Sequence, residues 1–244
     1  DNLFVFGSLD TNSMMYNFLG KHQVAVHFFD YYEHYTGSFM PKDYLLSGKM
    51  QIAQMKHHIR QEKRMAIARS FIDGAAFNML KNLRYYTNRG KDTRQQIERI
   101  EAYIPLIATA TDITIIDGFS MGNRTKMPPS NEVNAMISFA NSMCYSLCLD
   151  AIYHTQLNPT ISFLHEPGER RYSLALDMAE IFKPILADRL IFSMFNRKQL
   201  RESDFDQHLN RCLLKQSSMK KVAQEWEERT KETIKHRKLG RSVS

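Results

Sequence analysis

Apolar residues follow two different periods along this chain, and the change falls near Pro41. Before it the apolar runs are short: Leu3 to Phe6, Gln23 to Phe29, and Gly37 to Met40. Runs of this length, rich in Val and Phe and bounded by Gly or polar residues, predict strands. Between the first two, Thr11 to Leu19 has helical spacing, with Thr11 or Asn12 as N-cap and Gly20 as its stop. After Pro41 the period lengthens. Apolar residues at Ile52, Met55, Ile59, Ile67, Phe71, Ala75 and Leu80 recur near 3.6, which predicts helix from about Tyr44 to Tyr86. Gly90 closes that region and Asp92 caps a further helix reaching about Ala108. Residues 109–127 read as irregular, and helices resume after Pro128-Pro129 and dominate to the end. The pattern predicts an α+β chain with a small N-terminal β-rich lobe over 1–41 and a larger all-helical domain over 42–244. Both reach the ends of the chain in a state that reads as incomplete.

The 244 residues are 43% apolar, enough for one large domain or two modest ones. Net charge is +7, and its placement changes the picture. Lys215 to Arg241 holds nine Lys or Arg against four Glu, a net of +5. Lys235, Arg237, Lys238 and Arg241 at its end are candidate phosphate contacts, with a solvated helix face as the plainer reading. Cys144, Cys148 and Cys212 do not make a disulfide framework, since the first two lie four apart in an apolar helical run. No run of 18 uncharged apolar residues occurs, so no membrane span is expected and the cytoplasm is the expected compartment.

Candidate chemistry sits in the second half. Glu132 follows Pro128-Pro129-Ser130-Asn131, in the first turn of a helix, where any carboxylate favours the positive end of the macrodipole by up to about 1 kcal/mol. His165 follows the apolar stretch Ile161-Ser162-Phe163-Leu164 and precedes the loop Glu166 to Arg171. On the next helix Asp177 and Glu180 are three apart, on one side, beside an apolar stripe of Leu174, Met178, Ile181 and Ile185. Carboxylates at the edge of a core carry a desolvation cost that a bound cation offsets. An imidazole with oxygen ligands suits Mg²⁺ or Mn²⁺, and such an ion activates water or a 3′-hydroxyl for attack on phosphorus. The spacing alone is a weak signal.

The segments Pro128 to Ala135, Phe163-Leu164-His165-Glu166 and Arg170 to Pro184 resemble the helical catalytic domain of the CRISPR-associated protein 1 family. The resemblance extends over nearly the full chain, including Thr233 to Arg241. It implies a β-sandwich-like N-terminal lobe and an all-helical catalytic lobe. It also implies Glu132, His165 and Glu180 as metal ligands, Asp177 as a second acidic position beside the site, and Tyr145 nearby. One departure stands out. Family members carry a Gly-rich segment with a Glu-Gly pair and a following Arg and Tyr, where this chain has only Thr111 to Gly118.

The implied activity is that of a divalent-metal-dependent DNA endonuclease and integrase that inserts spacers into CRISPR arrays. Its implied partners are prespacer and repeat DNA, CRISPR-associated protein 2 and a second copy of the chain. Arg124, Lys126, Arg170 and Arg171 join the tail as DNA-binding candidates. Two other readings stand beside it: a non-catalytic helical DNA-binding protein, and a metal phosphohydrolase acting on nucleotides.

Overall fold

The computed structural model describes residues 2–42, 47–111, 131–168, 172–208, 211–231, 234–235 and 242–243. Strand β1 (Asn2–Phe6) runs parallel to β2 (Ala25–Phe29), and β2 pairs antiparallel with β3 (Tyr35–Phe39), giving the order β1-β2-β3. A parallel pair needs a crossover, and helix α1 (Ser13–Lys21) supplies it. Asn12 caps α1, its side chain accepting from the Met15 N–H at 3.2 Å. Strand β2 is buried at Ala25, Val26, His27 and Phe29. The Phe6 ring stacks on Phe29 at 4.5 Å and meets Phe139 of the helical domain at 4.8 Å, so the sheet is seated on that domain. The described part of the lobe is this one sheet with α1.

The long helical stretch divides into α2 (Gly48–Ile59) and α3 (Gln61–Thr87), because Arg60 is extended between them. Helix α4 (Arg94–Thr109) follows Gly90, which closes α3 at φ +80°. Helix α5 (Glu132–Tyr153) starts at Asn131, whose side chain accepts from the Asn134 N–H at 2.8 Å. It is apolar on nearly all sides and buries Met136, Phe139, Ala140, Met143, Cys144 and Leu149. By length and composition alone α5 is long and apolar enough to cross a membrane, although its asparagines and serines leave no run of 18 apolar residues. Its burial makes it the central helix of the core.

Helix α6 (Ser173–Lys183) packs on α5 and α3. Gly74 lets α3 come close: a Cβ there would lie 3.4 Å from Ile181 Cγ2. A π-helical turn, Pro184–Asp188, joins α6 to α7 (Arg189–Asn196). Proline lacks an N–H, and the turn shifts the hydrogen-bond ladder. Asn78 compensates by donating to Ile181 O at 2.8 Å, and the buried Asn82 donates to Pro184 O. The helical domain also carries antiparallel pairs that periodicity did not announce, β4 (Phe205–His208) with β5 (Arg211–Leu214) and β6 (Ile234–Lys235) with β7 (Ser242–Val243). Helix α8 (Gln216–Thr230) covers the core with Val222 and Trp226.

Candidate active site

The segment between α5 and α6 carries His165 and is held from two sides. From α6, Asp177 reaches it with a fully buried side chain. One carboxylate oxygen accepts from the N–H groups of Phe163 at 2.6 Å and Leu164 at 3.0 Å. The other accepts from the N–H of His165 at 2.9 Å and from its Nδ1 at 2.8 Å. Four donors on one carboxylate offset the cost of burying its charge. They also set the imidazole. A carboxylate only accepts, so Nδ1 donates to Asp177 and Nε2 is left as the nitrogen that could bind a metal or take a proton, the arrangement found behind metal-bound or basic histidines.

From the other side, α2 and α3 grip the carbonyls of the same segment. The buried Gln54 amide donates to Asn158 O at 3.0 Å and Ile161 O at 2.8 Å, while its oxygen accepts from the Asn158 N–H at 2.8 Å. His58 Nδ1 donates to Ser162 O at 2.6 Å. Arg64 donates from Nε to Phe163 O at 2.9 Å and from Nη2 to Glu166 at 2.7 Å. Ser162 Oγ donates to His165 O at 2.6 Å. Sequence reasoning missed Gln54, His58 and Arg64. Their only signal was polarity within an otherwise ordinary helical pattern.

The remaining expected ligands lie elsewhere. Glu180, one turn beyond Asp177, is half-buried and paired with Lys183. Glu132 accepts a hydrogen bond from Gln207 of the β4–β5 hairpin. Cys144 of α5 donates to Ala179 O at 3.9 Å, which places Glu180 beside the middle of α5. Glu132 precedes Cys144 by twelve residues, about 18 Å along a straight helix. Among the described residues no group of three or more His, Cys, Asp or Glu side chains could hold a metal ion. Glu132, His165 and Glu180, expected to converge, form no such group among the described residues. Asp177, expected beside the site, is the residue bound to His165. In kind His165 and Glu180 fit a divalent ion; the ligand set as a whole is not gathered.

Tyr145 packs edge-on to Tyr35 at 5.4 Å, and its hydroxyl accepts from the Tyr172 N–H at 3.4 Å. Burial pushes its phenol up to about 12. Arg124, Lys126, Arg170, Arg171, Arg237, Lys238 and Arg241 lie outside the described residues, and of Lys235 only the backbone, in β6, is described.

The profile of the family described as CRISPR associated protein Cas1 matches residues 1–119 and 110–228. This chain belongs to the Cas1 family. A CRISPR-associated endonuclease Cas1 of Thermodesulfovibrio yellowstonii is 43% identical, over all of this chain and 80% of that protein. One of Moorella thermoacetica is 44% identical, again over all of this chain and 80% of the relative. The solved CAS1 protein of Thermotoga maritima has a TM-score of 0.83 at 32% identity, covering 95% of this Cas1 chain and 79% of its own. A casposase bound to integration product shares the fold, with a TM-score of 0.87 at 20% identity over 100% of this chain and 74% of that one. The Thermodesulfovibrio alignment spans 264 positions against 244 residues here, so at least 20 positions of that relative have no counterpart in this Cas1 chain. The two profile matches overlap at 110–119, where the Gly-rich family segment was found wanting.

Proposed function

We propose that this Cas1 chain is a DNA endonuclease and integrase of CRISPR adaptation, which inserts spacer DNA into CRISPR arrays. The observation that carries the reading is the His165–Asp177 pair, an oriented imidazole with a free Nε2 in a family whose curated relatives are named endonucleases. The reaction is a transesterification. A prespacer 3′-hydroxyl forms a new P–O bond at the repeat boundary, and the O3′ of the cut strand leaves with the proton that the attacking hydroxyl gave up. Mg²⁺ or Mn²⁺ would supply Lewis-acid stabilisation of the charge on phosphorus. His165 Nε2 is the ligand the geometry supports, with Glu180 available once it releases Lys183. The chain's own part is orientation: Asp177 holds the imidazole, while Gln54, His58 and Arg64 hold the backbone that carries it. Chains of this fold occur in a Cas6-RT-Cas1–Cas2 complex, which supports Cas2 as the partner; a second copy of this chain is proposed on the family resemblance alone. The setting is the cytoplasm.

A non-catalytic DNA-binding role is the second reading, favoured by the lack of a three-member ligand group among the described residues. Strand integration of labelled prespacer, with Cas2 and Mn²⁺ or Mg²⁺, separates the two. The integrase reading expects product from the wild type, none after chelation, and none from His165→Ala with its thermal unfolding unchanged. Product from His165→Ala would remove the histidine from the mechanism. DNA binding without product in the wild type would select the second reading.

A further inference from the structure

The end of α3 and the start of α7 bring together two arginines and three aromatic rings that the site above does not use. Arg89 lies over the Tyr85 ring with Cζ 4.2 Å from its centroid, and Arg189 approaches the same ring at 5.5 Å. The two guanidinium carbons are therefore no more than about 10 Å apart, and among the described residues neither has a carboxylate within ion-pair distance. Their repulsion is tempered by the ring face and leaves the pair poised for an anion. Nearby Arg229 differs, being paired with Glu225 at 3.2 Å.

The rings form an edge-to-face ladder. Tyr85 meets Tyr86 at 5.2 Å and 89°, and Tyr86 meets Phe192 at 5.4 Å and 81°. Helix α7 buries Leu190, Ile191 and Met194, whereas Phe192 points away from that face and is 46% exposed. Tyr85 is 37% exposed. Gly90 and the Lys91 N–H, which donates to Tyr86 O at 3.1 Å, fix the turn that carries Arg89.

We propose that this patch is a binding site for single-stranded DNA, in which Arg89 and Arg189, held over the Tyr85 ring, contact phosphates and the exposed Phe192 stacks on a base. Guanidinium forks match phosphate geometry, and exposed ring faces take a base only where it is not already stacked on both sides. An intact duplex offers the phosphates without the base faces, so both halves of the patch are used only by a single strand or an unpaired end. The proposal rests on the DNA reading above and deepens it.

The test is fluorescence-anisotropy titration of the full chain with a labelled single strand and with its duplex, over a salt series. For the single strand, Arg89→Ala/Arg189→Ala should flatten the slope of log K against log salt by about 1.4, at about 0.7 for each phosphate. Phe192→Ala should weaken single-strand binding by roughly tenfold and leave duplex binding within twofold. Arg89 is exposed, so Arg89→Ala alone, expected to remove half the slope change, stands if a second substitution impairs folding. Equal losses on both DNAs would overturn the single-strand assignment, and no loss on either would overturn the site. Should the wild type bind neither DNA, this proposal and the DNA reading fall together; should it bind both while the variants match it, only this proposal falls.

Discussion

Removing the carboxylate of Asp177 isolates the interaction that orients His165. Asp177→Ala deletes an acceptor for four donors and leaves the N–H groups of Phe163, Leu164 and His165 without it. A hydrogen bond to a charged group contributes about 1.5–3 kcal/mol, and each buried donor left unpaired costs about 1–3 kcal/mol. Those figures do not add. The His165 side chain is 31% exposed, so water reaches that end of the segment once it loosens. The net loss should be about 3–5 kcal/mol, in the range for breaking a buried charged pair, and a large part of a typical domain's 5–15 kcal/mol. Asp177→Asn keeps one acceptor and turns an amide N–H₂ towards other donors, so it should recover only part. Glu180→Ala, which loses a partly exposed pair with Lys183, should cost about 1 kcal/mol or less. Urea unfolding followed by circular dichroism gives the stabilities, and hydrogen exchange at the amides of 163–165 reads the segment directly. If Asp177→Ala is no less stable than Glu180→Ala and those amides stay protected, the carboxylate does not hold the His165 segment.

Two further substitutions test other parts of the same scaffold. Glu33 sits at φ +65° with its side chain buried and one carboxyl oxygen unpaired, and burial pushes its pKa up to about 8. The folded chain then holds a proton that the unfolded chain releases above about pH 4.5, so stability falls as pH rises towards 8. His27, lowered to about 4 by burial, opposes this trend between about pH 4 and 6.5, where only the unfolded imidazole is charged. Urea midpoints should therefore decline between pH 6.5 and 8, by up to about 2 kcal/mol of stability, and Glu33→Gln should abolish the decline; an unchanged decline in the variant would assign it to other groups. Gln54→Ala removes three hydrogen bonds to Asn158 and Ile161 and should cost about 2–4 kcal/mol while exposing the Asn158 amide to exchange; a loss under about 0.5 kcal/mol would show that α2 does not brace the segment.

Much of the fold was legible because it follows local rules. Strands at Leu3, Gln23 and Gly37, the Asn12 cap and the first turn at Glu132 depend on residues within a few positions of one another. The break at Arg60 was not legible, since both flanking helices keep apolar residues at the same period. The β4–β5 hairpin escaped for a different reason: four-residue strands are too short for alternation to show, and their burial comes from α5 and α8. His165 and Asp177 were both picked out, yet their direct pairing was not.

The sequence by itself determined the family and the order of a β-rich lobe before a helical domain. Those rest on motifs and on the period of apolar positions, which marks one face of an element; in α2 that face, with Ile52, Met55 and Ile59, is exposed and Gln54 is the buried residue. Period says nothing of what lies against that face. Only the tertiary structure decided that Asp177 belongs to the His165 segment, that Glu132 turns to Gln207 some 75 positions later, and that Gln54 braces a segment 104 positions away. Each of these contacts is set by how α2, α5, α6 and the β4–β5 hairpin pack around the His165 segment and the start of α5, a relation between surfaces that no local stretch of the chain contains.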